Sequence, residues 1–168
     1  MEIRKAELSD SLALAEIYNF YIENSHATFE TQLIDREEME RRQRELSDSQ
    51  YPFFVAESEG IVAGYTFGHR YRPRDAYRHS VETSVYIRPG FEGKHFGTAL
   101  YEVLIPELTS AGFHALIAGI SLPNEASVKL HQKFGFQKVA HFREVGNKFG
   151  SWIDVGYWEL LNPLAPVK

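Results

Sequence analysis

The chain has 168 residues, 43% of them hydrophobic or aromatic, and a formal net charge of −5 at pH 7. That length suits one domain, residues 1–168, with a real core, and the acidic total argues against nucleic acid as a partner, because phosphate binding needs cationic surface. There is no cysteine, which excludes disulfides, thiolate metal sites and a thiol nucleophile and fits a cytoplasmic protein.

Glu2 to Lys5 reads as an opening strand, and no apolar run at the N-terminus or elsewhere suits a signal peptide or a membrane span. Ser9 is placed to cap a helix in which Leu14, Ile17, Tyr18, Tyr21 and Ile22 form an apolar stripe. Asn24 to Gln32 has no period and reads as a loop. Asp35-Arg36-Glu37-Glu38 resembles a capping box and starts a second helix, charged through Arg44 and Glu45 on what reads as a solvated face. Phe53 to Ala56 and Ile61 to Phe67 form a hairpin about Glu59-Gly60, and Gly68 to His79 is a polar loop rich in Arg and Tyr.

Next comes a strand in which Thr83, Val85 and Ile87 point one way and Ser84 and Tyr86 the other. Arg88-Pro89-Gly90 stops it, and Phe96, Leu100, Val103, Leu104, Leu108 and Ala111 then recur at helical spacing up to a stop at Gly112. Pro106 lies inside that helix, where it costs about 3 kcal/mol and removes a hydrogen bond to Glu102, so a kink or an early stop is expected. Ala115 to Ile120 is an apolar strand, Pro123-Asn124 opens a short helix ending at Phe134 before Gly135, and Gln137 to Val145 and Ser151 to Leu160 close the chain as a hairpin. The order β-α-α-β-β-β-α-β-α-β-β predicts an α/β (α+β) fold, a mixed, mostly antiparallel sheet flanked by helices.

Strand, glycine-containing loop and helix N-terminus together aim unpaired N–H groups at one spot, which suits a phosphate. GxGxxG, GxxxxGK[ST], GxSxG and HExxH are all missing, so no dinucleotide fingerprint, P-loop, serine nucleophile or metal site is assigned. Glu82, beside the strand, is either a base or the partner of a loop arginine. His131 is either a proton donor or a satisfied, partly buried side chain. Arg70, Arg72, Arg74 and Arg78, interleaved with Tyr71 and Tyr77, read as solvated charge, as a nucleic-acid patch or as forks for a substrate carboxylate or phosphinate.

The segment Glu92-Gly93-Lys94-His95-Phe96-Gly97 resembles the acyl-CoA loop of the GNAT N-acetyltransferases. Asn124, Ser127, Gly135 and Phe136 match a second segment of that superfamily, and His131 stands where many of its members carry a tyrosine. With Asp75-Ala76-Tyr77, Glu82 to Ile87 and Lys148 to Trp158, the chain is similar to the phosphinothricin and methionine sulfone/sulfoximine N-acetyltransferases from about Ile3 to Leu160.

The resemblance implies a GNAT fold, acetyl-CoA as co-substrate and direct attack of a small-molecule amine, the α-amine of an amino-acid analogue, in a ternary complex. It implies Glu82 as base and His131 as acid or positioning group. It further implies that the backbone of Val85, Tyr86 and Ile87 pairs with the pantetheine, that Gly93, Lys94, His95, Phe96, Gly97 and Thr98 hold the pyrophosphate, and that Asn124 bonds the pantetheine arm. Lys133 would meet the adenosine phosphate, or is a solvent lysine. Arg72, Arg74, Asp75, Ala76 and Tyr77, with Phe29 and Glu30, would line the acceptor pocket, and a homodimer is expected by analogy.

Glu92 and His95 depart from the family pattern: a carboxylate there repels pyrophosphate unless it turns away, and a side chain at position 95 stands where glycine admits the backbone. Other acceptors, a protein N-terminus, a polyamine or an aminoglycoside, stay open, as does an acyl-CoA-binding module without turnover.

Overall fold

The computed structural model describes residues 1–163. Its elements run β1 (Glu2–Lys5), α1 (Ser11–Asn24), α2 (Arg36–Asp48), β2 (Phe53–Ser58), β3 (Ile61–Arg70), β4 (Ser80–Ile87), α3 (Phe96–Ser110), β5 (Ala115–Leu122), α4 (Glu125–Lys133), β6 (Gln137–Lys148) and β7 (Ser151–Leu161). The strands form one seven-stranded sheet in the order β1-β2-β3-β4-β5-β7-β6. Every pairing is antiparallel except β4 with β5.

Period-two alternation divides the core in two. On one face α3 buries Phe96, Leu100, Tyr101, Leu104 and Leu108 against Phe54, Ala56, Leu116, Ala118 and Trp158. On the other, α1 and α2 bury Leu14, Ile17, Tyr18, Ile22 and Met39 against Val55, Val62 and Tyr65. Tyr86 packs there too, edge-on to Tyr18 at 5.2 Å between ring centroids.

Several boundaries move. Ser9 is not the α1 cap: it lies in a 3-10 turn, Leu8–Asp10, and Asp10 takes the N-cap position. The polar loop after β3 is shorter than expected, because β3 continues to Arg70 and β4 begins at Ser80. Glu82 therefore lies within β4, opposite His69 on one side and Ile117 on the other. The last hairpin is tighter than expected, turning at Phe149-Gly150 with φ of 53° and 72°, the left-handed pair a type I′ turn requires. Neither does Pro106 stop α3, which runs on to Ser110. Pro106 and Glu102, whose carbonyl loses its partner, both lie on the exposed face, where water can take the bond.

Asp10 holds the start of the chain to the sheet. Its nearly buried carboxylate accepts from both terminal nitrogens of Arg4, at 2.8 Å each, and from the Glu7 amide at 2.8 Å. Burial pushes that carboxyl up, but Arg4 and the Glu7 amide outweigh it, and the net shift is below the ordinary aspartate value. Its stabilisation is thus present above the unfolded pKa and lost as pH falls through the lower, folded one. Asp10→Asn is expected to cost about 2 kcal/mol at neutral pH, the loss of a charge-assisted pair that is partly open to water. Chemical denaturation at neutral and acid pH checks this, and the difference from wild type should shrink in acid.

Candidate active site

The pairing of β4 with β5 stops at Glu82 opposite Ile117. Beyond it β4 continues to Ile87 on β3 alone, while β5 continues to Leu122 on β7 alone. The two strands splay, and the β5-facing backbone edge of Thr83 to Ile87 is left as an open strand edge inside the sheet. A cavity of about 650 Å³ fills the splay, lined by Thr83 to Ile87, by Phe91 to Gly93 and His95 to Thr98 of the loop and helix start, by Ala118 to Ser121, and by Asn124, His131 and Lys133 of α4 and its cap. All the residues expected to meet the cofactor except Lys94 lie on this lining.

The loop before α3 turns on left-handed residues, Gly90, Gly93 and His95, with φ of 88°, 71° and 67°. Glu92 is directed back onto its own turn, where its Oε2 accepts from the Gly90 amide at 2.7 Å. Lys94 donates to the Gly90 carbonyl at 2.8 Å and lies over the Phe91 ring. His95 is the N-cap residue of α3 and makes no side-chain cap bond, so the helix N-terminus faces the cavity with its amides uncapped. His95→Gly is expected to raise stability by up to about 1 kcal/mol, relief of the left-handed penalty less glycine's entropy, and to tighten acetyl-CoA binding by clearing a side chain from the loop. Thermal melting and a calorimetric titration check both effects.

Asn124 caps α4, its Oδ1 accepting from the Ser127 amide at 3.1 Å, which leaves its amide nitrogen to donate to a ligand. Lys133 reaches Thr98 at 3.4 Å and ties α4 to the start of α3. His131 is buried with both ring nitrogens engaged. Nδ1 lies 2.7 Å from the Ser127 carbonyl, which only accepts, so Nδ1 carries the proton. Nε2 then accepts from the Tyr101 hydroxyl at 2.8 Å, and Tyr101 lies 3.2 Å from Thr83. Burial pushes the imidazole pKa down against the opposing Ser127 carbonyl, so the ring is held neutral.

A second cavity of about 460 Å³ opens on the α1 face, lined by His26, Ala27, Phe29, Arg72, Glu82, Gly119, Ser121, Phe142, Val145, Val155 and Tyr157. Ala27, Gly119 and Ser121 line both cavities, so the splay is a passage through the sheet. Glu82 stands at that passage: an ideal Cβ on Gly119 is 3.3 Å from its Oε1. It makes no ion pair among the described residues. Burial raises the pKa of the Tyr157 hydroxyl, the Glu82 charge adds to the shift and Arg72 opposes it, which places the three side chains in one electrostatic group.

Not every expected acceptor residue meets this cavity. Phe29 and Arg72 line it, but Arg74, Asp75, Ala76 and Tyr77 lie on an exposed 3-10 turn outside the lining. Glu30 faces Arg42, with contacts at 2.8 and 3.0 Å, and accepts from Tyr18 at 2.9 Å. Conversely, His26, Ser121, Phe142, Val145 and Tyr157 were not legible as site residues. The one sequence signal was Gly119, an isolated glycine in an apolar strand, which marks a close approach.

A splayed parallel pair, an uncapped helix start beneath it and a carboxylate at the passage define an acyl-CoA-dependent transferase site. Residues 3–156 match the acetyltransferase (GNAT) domain model, and the chain belongs to that family. It is 41% identical to a phosphinothricin N-acetyltransferase of Streptomyces coelicolor, over 95% of this chain and 95% of the relative. It is 36% identical to an L-methionine sulfoximine/L-methionine sulfone acetyltransferase of Salmonella typhimurium, over 95% and 94%. Among solved structures, a phosphinothricin acetyltransferase from Sinorhizobium meliloti in complex with acetyl-CoA superposes with a TM-score of 0.93 at 34% identity, covering 95% of this chain and 87% of that one.

Proposed function

We propose that the chain, as a single N-acetyltransferase domain, moves the acetyl group of acetyl-CoA to the α-amine of a small amino-acid analogue of the phosphinothricin or methionine sulfone/sulfoximine type. The observation that carries this reading is the meeting of two cavities beside Glu82. Acetyl-CoA occupies the larger one, its pantetheine pairing with the open edge of Val85 to Ile87 as an added strand and its pyrophosphate at the start of α3.

The acceptor enters from the α1 face. Glu82 takes a proton from its ammonium group, and the freed amine attacks the thioester carbonyl. A backbone N–H of the β4 edge stabilises the oxyanion. The tetrahedral intermediate then collapses, forming the amide and expelling CoA thiolate, while the nitrogen sheds its second proton, which leaves the thiolate as free thiol; the proton held by Glu82 returns to solvent. His131, neutral and bonded at both nitrogens, fixes the Tyr101 hydroxyl in the wall of the cofactor cavity and so serves as a positioning group.

Charge favours an amino-acid analogue over a polyamine. Glu82 is the one carboxylate of the acceptor lining, Arg72 is a cation suited to the acceptor's anionic end, and Phe29, Phe142, Val145 and Val155 provide an apolar side. A protein N-terminus is the second acceptor, since it also presents an α-amine.

A homodimer, a cytoplasmic location and a detoxifying role belong to the same reading. The dimer is supported by the exposed Val139, Phe142, Val145, Phe149 and Trp152 on the β6–β7 hairpin, whose outer strand is a sheet edge. Light scattering on the purified chain decides it.

The test of function is CoA release with phosphinothricin, methionine sulfone, methionine sulfoximine, spermidine and a short peptide in parallel. Saturable turnover confined to the amino-acid analogues is expected. Turnover of spermidine or peptide alone moves the acceptor, and acetyl-CoA binding without any turnover removes the enzyme reading.

A further inference from the structure

Lys148 is a buried lysine that the transfer chemistry does not use. It lies at the end of β6, and 4% of its surface is exposed. Its ammonium donates to three backbone carbonyls of another part of the chain: Ser25 at 2.6 Å, Thr28 at 2.8 Å and Tyr21 at 3.2 Å. Three donors meeting three acceptors is full satisfaction for an ammonium. Two of those carbonyls belong to the last turn and C-cap of α1, where a cation also meets the negative end of the helix dipole.

The segment held this way is one wall of the acceptor cavity, and its Tyr21 and Ala27 also reach the cofactor cavity. His26, Ala27 and Phe29 line that cavity from the α1 side, while Phe142, Val145, Val155 and Tyr157 line it from the β6–β7 hairpin. Lys148 is thus a bolt between two walls that are more than a hundred residues apart in sequence. The hairpin touches the segment again two residues earlier, at Gly146, where an ideal Cβ would stand 2.3 Å from the Phe29 ring, so a side chain there would have to push the ring aside. A third tie runs from the segment to β5, where His26 Nδ1 lies 3.1 Å from the Ser121 hydroxyl at the passage between the cavities. The residues that shape the acceptor site are therefore fixed by hairpin and strand, whereas most of the cofactor site is built from β4, the following loop, α3 and α4.

We infer that Lys148 is a positioning residue for acceptor recognition: by joining the β6–β7 hairpin tip to residues 21–28 it sets the width of the acceptor cavity without itself lining the cofactor cavity. The inference rests on the reading of the smaller cavity as the acceptor site. Burial depresses the pKa of this lysine, and its ammonium is held by the three carbonyls and by the face of the Phe149 ring, 5.0 Å away.

The test uses the full chain with Lys148→Met, which keeps the stem and removes every donor, and Lys148→Gln, which keeps part of the donation. Phosphinothricin and acetyl-CoA are varied separately. The KM for the acceptor is expected to rise at least about tenfold in the Met variant and less in the Gln variant, with a clearly smaller rise in the KM for acetyl-CoA, whose cavity the segment touches only at Tyr21 and Ala27. An unchanged acceptor KM, or equal rises in both KM values, overturns the inference.

Hydrogen exchange decides the bolt itself without any acceptor. Amides of residues 25–30 should exchange faster in either variant while those of α3 and β5 do not, and unchanged exchange at 25–30 overturns the inference. Should wild type turn over no amino-acid analogue while the exchange result holds, the bolt stands and the assignment of the acceptor fails.

Discussion

Glu82→Gln is expected to lower turnover by about a hundredfold while acetyl-CoA still binds, the scale of losing a positioned general base. The substitution keeps the shape of the side chain and removes its capacity to take a proton. Glu82 pairs through its backbone with His69 and Ile117, so the strand does not depend on the carboxylate. Because the side chain makes no ion pair among the described residues, the change leaves no partner charge stranded. Steady-state kinetics check the result: kcat should fall with little change in either KM. Turnover near that of wild type would remove Glu82 from the chemistry, and a protein that only binds acyl-CoA would have no turnover to lose.

Gly119→Val is expected to lower turnover of the acceptor by a similar factor, for a steric reason. A Cβ at this position stands 3.3 Å from Glu82 Oε1 and 3.3 Å from the Tyr157 ring, so the two γ carbons of valine have room only by displacing one of them. A displacement of about 1 Å at a reacting centre costs on the order of a hundredfold. Valine is a better strand former than glycine, so the fold should survive. The loss then reports a blocked passage between the cavities. Gly119→Ala should fall between the two, since its contacts are tight but reach no further. Equal activity of all three forms would mean that amine and thioester do not meet there.

How much of this was legible follows from how local each signal is. The loop between β4 and α3, the Asp35 and Asn124 caps and the Glu59-Gly60 turn are written in neighbouring residues, and the sequence identifies each from its own few letters. The start of β4 was misplaced because Ser80, Val81 and Glu82 are strand by pairing with β3 and β5, not by propensity. Pro106 causes no early stop, which propensity misses because it ignores which face a proline occupies. Most of the lining of the larger cavity is legible, since much of it comes from one continuous stretch. The smaller cavity is legible only at Phe29, Arg72 and Glu82, since its other walls come from residues near 26, 120 and 142–157, which only the sheet order brings together. Lys148 shows the limit most plainly. In the sequence it is one more lysine in a hairpin, and its burial appears only when the end of α1 is placed against it.

The central claim is that an acetyl group leaves CoA and becomes an amide on an amino-acid analogue. It is tested most directly by incubating the purified chain with phosphinothricin and acetyl-CoA labelled with 13C in the acetyl group, and locating the label by mass spectrometry and NMR. The account predicts the label as an amide on the α-nitrogen, with free CoA thiol in equal amount. Label that remains on CoA, or that appears on the protein instead of the small molecule, would contradict it.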